Sequence, residues 1–204
     1  MKPKTPDEAK QQEILVYAKS VLGNTYVIIK IEKVNIEENM MEETTRVSCE
    51  VRVDDDVIVV NSTGAGVIDA LFRGVREGLA HKYYSLEDVT FEDFLIEVDP
   101  TTRRKREGTD VSVFVELVVC NSRGARHHFH SEAKSFNTAS VRAVLVAIEY
   151  YLNCELAVVK LVELLKDAKE RNRTDLISLY MGQLSEIVQS TSYEKTITNW
   201  RQKN

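Results

Sequence analysis

Glycine and proline are scarce in this 204-residue chain, at eight and three residues, which leaves little material for long flexible linkers. Cysteine is scarce too: Cys49, Cys120 and Cys154 are odd in number and widely spaced. That spacing excludes a disulfide framework and a paired-cysteine zinc site. Two of the three fall in strand-like runs, where a buried thiol packs as a small hydrophobe. No uninterrupted apolar run reaches the ~20 residues of a membrane helix, and the opening MKPKTPDEAKQQE lacks the apolar centre of a secretory signal. Nor is there an excess of basic charge. Lys and Arg number 27 against 32 Asp and Glu, a formal −5 that repels a phosphate backbone and argues against a nucleic-acid partner. What remains, 43% hydrophobic and 29% charged, reads as a soluble, cytoplasmic protein of one domain with helical additions.

Thr5-Pro6-Asp7-Glu8 opens a helix that Gly23-Asn24 closes, with Ile14, Leu15, Ala18, Val21 and Leu22 as its apolar stripe. A strand is expected over Tyr26 to Lys33. From Arg46 to Val53 the alternation is strict, with Val47, Cys49, Val51 and Val53 on one face. Asp54-Asp55-Asp56 turns the chain, Val57 to Val60 returns, and after TGAG a helix carries Ile68, Leu71, Phe72, Val75 and Leu79 at helical spacing. The order then repeats. Phe91 to Val98 is a strand, the loop DPTTRRKREG leads to alternating Val111, Val113, Val115, Leu117 and Val119, Asn121 to Gly124 turns, Ala125 to Ala133 returns, and a helix runs from about Thr138 to Leu152. TRVSCEVRV answers TDVSVFVEL, the mark of a duplicated βββα unit.

The expected fold class is therefore α+β, with two antiparallel sheets each covered by a helix. An N-terminal helix occupies 1–24, the duplicated domain 25–152 (units 25–84 and 85–152), and a helical extension 153–204. That extension reads as two amphipathic helices, with Thr174 as the N-cap of the second.

Three clusters invite chemistry, and each has a plainer reading. HHFH at 127–130 has the His-x-His spacing of a metal site. Arg126 shares the face of His128 and His130, however, and no third ligand is near in sequence, so solvated or edge-strand histidines are expected. The basic loop of Arg103, Arg104, Lys105 and Arg106 has no interleaved aromatics and reads as a solvated hairpin tip. VDDDV reads as a turn. TGAG lacks the Lys-Ser/Thr of a phosphate loop and the longer dinucleotide fingerprint. It offers free N–H groups at a helix start, with glycines that allow close approach, an arrangement suited to a carboxylate. No cofactor and no metal site are expected.

TGAGVIDALFRGVREGL resembles the Gly-x-Gly-Pro-Val-Asp-Ala-Leu-Phe segment in the C-terminal regulatory, or dimerisation, domain of α-isopropylmalate synthase and the related citramalate synthase. EGTDVSVFVEL is similar to that family's Gly-Thr-Asp-Ala-x-x-x-Val stretch, and ASVRAVLVAIEYYL to its Ala-Ser-x-Arg-Ala helix. Together these span about Val27 to Leu152. Val67 stands where the family has proline, and Ser131-Glu132-Ala133 where it has glycines.

The resemblance implies a homodimeric domain that binds a branched-chain amino acid, leucine or isoleucine, between its two units. Gly64, Ala65, Gly66, Val67, Asp69 and Ala70 would form one wall, and Asn137, Thr138 and Ala139 the other. It also implies a separate synthase chain as partner, because the family's catalytic barrel of roughly 250 residues has no counterpart here. This chain is not expected to condense acetyl-CoA alone. The alternative is a structural dimerisation module in which the glycine turn serves folding only.

Overall fold

The structure is a computed structural model describing residues 6–98 and 112–203. Helix α1 (Pro6–Leu22) is followed by strands β1 (Ile29–Asn39), β2 (Thr44–Val53) and β3 (Asp56–Gly64) and helix α2 (Val67–Ala80). Strands β4 (Val89–Val98), β5 (Val113–Asn121) and β6 (Arg126–Ala133) and helices α3 (Phe136–Glu170), α4 (Thr174–Ile187) and α5 (Tyr193–Lys203) complete the chain. The strands form two antiparallel three-stranded sheets, ordered β1-β2-β3 and β4-β5-β6. The fold is α+β, as the alternation and the repeat imply. The DPTTRRKREG loop and Val111 lie outside the described residues.

The predicted inward faces are the buried ones. Val47, Cys49, Val51 and Val53 of β2 meet α2, while Val115, Leu117 and Val119 of β5 meet α3. Helix α2 approaches β3 closely because a side chain at Gly74 would begin 2.8 Å from Ser62 Cβ, and one at Gly78 would begin 2.9 Å from Ile58 Cδ1. Each helix also ties the first strand of the other unit. Arg76 Nη1 of α2 donates to Val89 O of β4 at 3.1 Å, and Glu149 Oε2 of α3 accepts from Ile29 N of β1 at 3.2 Å.

Strand β1 begins later and ends later than the expected Tyr26 to Lys33. The fully buried Asn153 of α3 accepts from Val27 N through Oδ1 and donates to Val27 O through Nδ2, both at 2.8 Å. That pairing takes the backbone groups a ladder would need. At the far end, Glu37 lies opposite Arg46, an opposite-charge pair that carries the polar sequence on to Asn39. Asn39 Oδ1 there receives Met41 N and Glu42 N and closes the hairpin.

Helix α3 does not stop at Leu152. It continues unbroken to Glu170, absorbing the first of the two expected extension helices. Neither glycine nor proline interrupts 136–170, and the helix ends only where Asn172 takes a left-handed φ of 54° and Arg173 N reaches back to Ala168 O at 2.9 Å. Thr174 is then the first residue of α4 rather than its cap, which is Arg173 without a side-chain hydrogen bond. Arg173 pairs instead with Asp175 in the first turn.

Candidate functional site

The glycine turn sits between β3 and α2, and its two glycines play different parts. A Cβ on Gly64 would strike the Asp69 carboxylate and lie 2.7 Å from Ala70 N, whereas one on Gly66 would meet nothing within 4 Å. Gly64 is therefore a packing requirement, and Gly66 faces open space. Gly66 is also the N-cap of α2, in extended geometry (φ −165°, ψ 174°) and without a side-chain cap. The first intrahelical bond there is Ala70 N to Gly66 O at 2.9 Å. The amides before Ala70 at the helix start therefore have no intrahelical acceptor. Asp69 Oδ2 accepts from Ala65 N at 3.1 Å and braces the turn.

That space is a cleft of about 600 Å³. One wall is the turn itself: Ala65, Gly66, Val67, Ile68 and Asp69. A second is the β1–β2 hairpin end, with Glu38, Asn39, Met40, Glu43, Thr44 and Thr45. The third comes from the other unit, with Phe91 and Phe94 of β4 and Phe136 at the start of α3. Phe72 on α2, Phe91 and Phe94 form a continuous aromatic row with centroids 6.1 Å apart at each step.

Strict alternation would place Phe91 and Phe94 on opposite faces of β4. A register shift between Phe91 and Asp93 inserts one extra residue, so Phe91 pairs with Val119 and Phe94 with Leu117, both on the inward face. The matching shift in β1, between Ile31 and Val34, shows that the irregularity is part of the repeat.

Of the residues expected at the site, Ala65, Gly66, Val67 and Asp69 line the cleft. Gly64 lies behind the turn and Ala70 is fully buried beneath it. From the second unit the cleft receives Phe136, while Asn137 and Thr138 are exposed elsewhere and Ala139 is fully buried. The geometry of the repeat explains this. Ser135 caps α3 as Gly66 caps α2, so Phe136 occupies the place of Val67, and Ala133-Lys134-Ser135 stands where the first unit has Gly64-Ala65-Gly66. Sequence reasoning missed Phe91, Phe94 and the β1–β2 hairpin end because the bulge and the approach of the two units have no signature in a run of residues.

The histidines divide between two faces. His128 Nδ1 lies 2.7 Å from Glu116 Oε1, Arg126 pairs with Glu92, and His130 stacks on Phe114 at 5.6 Å, all on the outer face of edge strand β6. His127 departs from the expectation of solvated histidines. It is buried on the inner face, with Nδ1 2.9 Å from Tyr151 Oη and Nε2 3.3 Å from Ser190 Oγ. Burial, with His128 adding to it, pushes its pKa down from 6.5 to about 4. Among the described residues no three His, Cys, Asp or Glu side chains cluster as a metal site, and no helix is long and apolar enough to cross a membrane.

A comparison with curated proteins gave no match. The family model of the LeuA allosteric (dimerisation) domain matches residues 8–152, which hold all but the first two residues of α1, both sheets, α2 and the first half of α3. With duplicated sheets, a glycine turn at the mouth of an inter-unit cleft and that match in place, the chain belongs to the LeuA allosteric (dimerisation) domain family.

Proposed function

We propose that this chain is a non-catalytic regulatory domain that dimerises and binds a branched-chain amino acid, leucine or isoleucine, in the cleft at Gly66. Its setting is branched-chain amino acid biosynthesis in the cytoplasm, where it modulates a synthase catalytic chain. The observation that carries this reading is the cleft itself, which joins amides without an intrahelical acceptor at the start of α2, the carboxylate of Asp69 and an apolar wall of Met40, Phe91, Phe94 and Phe136. A free amino acid presents the complement: a carboxylate for the amides, an ammonium for the acids and an apolar side chain for the rings.

The test is thermal unfolding of the purified chain with leucine, isoleucine, valine, pyruvate, 2-oxoisovalerate and acetyl-CoA. A ligand that binds only the native state at a concentration 100 times its Kd adds about 2.7 kcal/mol of stability. Leucine or isoleucine is expected to raise Tm selectively. Gly66→Asp is expected to abolish that rise while leaving the unliganded Tm nearly unchanged, because its Cβ projects into open space and its backbone is extended. A flat response to every compound at millimolar concentration would leave dimerisation as the domain's function.

A further inference from the structure

Resting on the dimerisation in that reading and not on its ligand, we infer that a second copy of the chain docks on one apolar surface: the inner face of β4 beyond its bulge, together with the tip of the β1–β2 hairpin beside the cleft. The register of β4 sets Phe94 opposite Leu117, Ile96 opposite Val115 and Val98 opposite Val113, so all three belong to the inner face of their sheet. Helix α3 packs on β5 and β6 and buries Val115 and Leu117 completely, yet Phe94, Ile96 and Val98 stay 41–53% exposed.

The first unit does not share this feature. Counted from the bulge that both units carry, Phe94, Ile96 and Val98 correspond to Val34, Ile36 and Glu38. Val34 and Ile36 are half-buried against the core, and the third position holds a charged residue suited to water. An inward strand face that one unit finishes and the other leaves apolar and open marks an interaction surface. Met40 and Phe136, which line the cleft with Phe94, continue the patch, and Met41 follows at the hairpin tip. The two methionines are 80% and 94% exposed.

At about 150–200 Å² for a large side chain, these six leave roughly 600 Å² of apolar surface open, most of the ~800 Å² that each partner gives to a standard interface. All six are uncharged, and an uncharged apolar patch is its own complement, as a twofold contact between identical copies requires. Ile96, Val98 and Met41 lie outside the cleft lining, so the contact is compatible with a ligand between the cleft walls.

The test is sedimentation equilibrium of the full, unliganded chain from about 0.1 to 100 μM, with Ile96→Asp, Val98→Lys and, as a control, Val59→Asp on the outer face of the first sheet, where Val59 is 70% exposed. Ile96→Asp and Val98→Lys are each expected to weaken the dimer at least about tenfold, and Val59→Asp to leave its Kd within about twofold. Should Ile96→Asp fail to fold, Val98→Lys at the more exposed position decides alone. If the folded variants dimerise with the Kd of the unaltered chain, the interface lies elsewhere, and this inference falls while dimerisation stands. Equal weakening by Val59→Asp assigns the contact to the outer face and overturns it too. If the unaltered chain is monomeric throughout, both the inference and the dimerisation in the proposed function fail.

Discussion

Gly64 and Gly66 are two residues apart and differ in what a methyl group would do. At Gly64 it would be driven into the backbone of Ala70, so Gly64→Ala is expected to cost about 1–3 kcal/mol in urea unfolding, as overpacking does. Gly66→Ala, with empty space before it, is expected to leave the urea midpoint unchanged. His127 supplies the second expectation at this scale. In the unfolded chain its imidazole takes a proton near 6.5, while in the fold it resists until about 4. Between those values the unfolded state binds more protons, so stability rises with pH. The contribution of His127 is complete above 6.5 and is lost as pH falls toward 4, on the order of 3 kcal/mol across the window. Urea midpoints at pH 7.5 and 5.0 measure it. His127→Gln is expected to flatten the difference, and an unchanged slope would remove His127 as its source.

The elements are held at their edges by side-chain amides that stand in for missing strands. Gln11 of α1 donates from Nε2 to His128 O and accepts from His128 N through Oε1, both at 2.9 Å, and so covers the open edge of β6. Asn153 does the same for Val27 at the approach to β1. Glu155 closes the other linker, its carboxylate accepting from Tyr84 N at 3.1 Å and Ser85 N at 2.7 Å, while burial pushes its pKa up. These three residues were unreadable in sequence, because a polar residue on an amphipathic helix looks solvated until a distant segment meets it. The strands were readable because period-two alternation reports directly which face is dry. The bulges in β1 and β4 break that period without leaving glycine or proline to mark them.

At the scale of the whole molecule, the helical extension is bound back onto the repeat. Helix α4 packs along the second half of α3, where Val158, Leu161 and Leu165 are buried. Asn121 Nδ2 donates to Gln189 O at 2.9 Å, Ser190 joins Tyr150 and His127, and Ser192 and Lys195 pair with Asp88. Truncation after Glu170 is therefore expected to expose several large apolar side chains, each worth about 1.5–3 kcal/mol when fully buried. The shortened chain is expected to unfold at a much lower urea concentration or to aggregate on purification. A truncated chain with the full-length midpoint would make the extension a mere appendage.

The sequence by itself determined the α+β class, the duplication and the glycine turn, because each is written locally: alternation in strands, helical spacing in helices, and small residues where backbone must come close. The different parts of the two glycines, by contrast, were set by the tertiary structure, which packs Gly64 against Asp69 and Ala70 and leaves Gly66 facing open space. Tertiary structure decided which residues share a cavity. Phe136 replaces Asn137, Thr138 and Ala139 at the cleft because α3 starts at Phe136, directly after its N-cap Ser135, and Phe94 joins Phe91 because one extra residue turns it inward. The β1–β2 hairpin end reaches the site only through the pairing of its sheet. A cleft between two units is set by distances across the chain, and no local period in the sequence encodes such a distance.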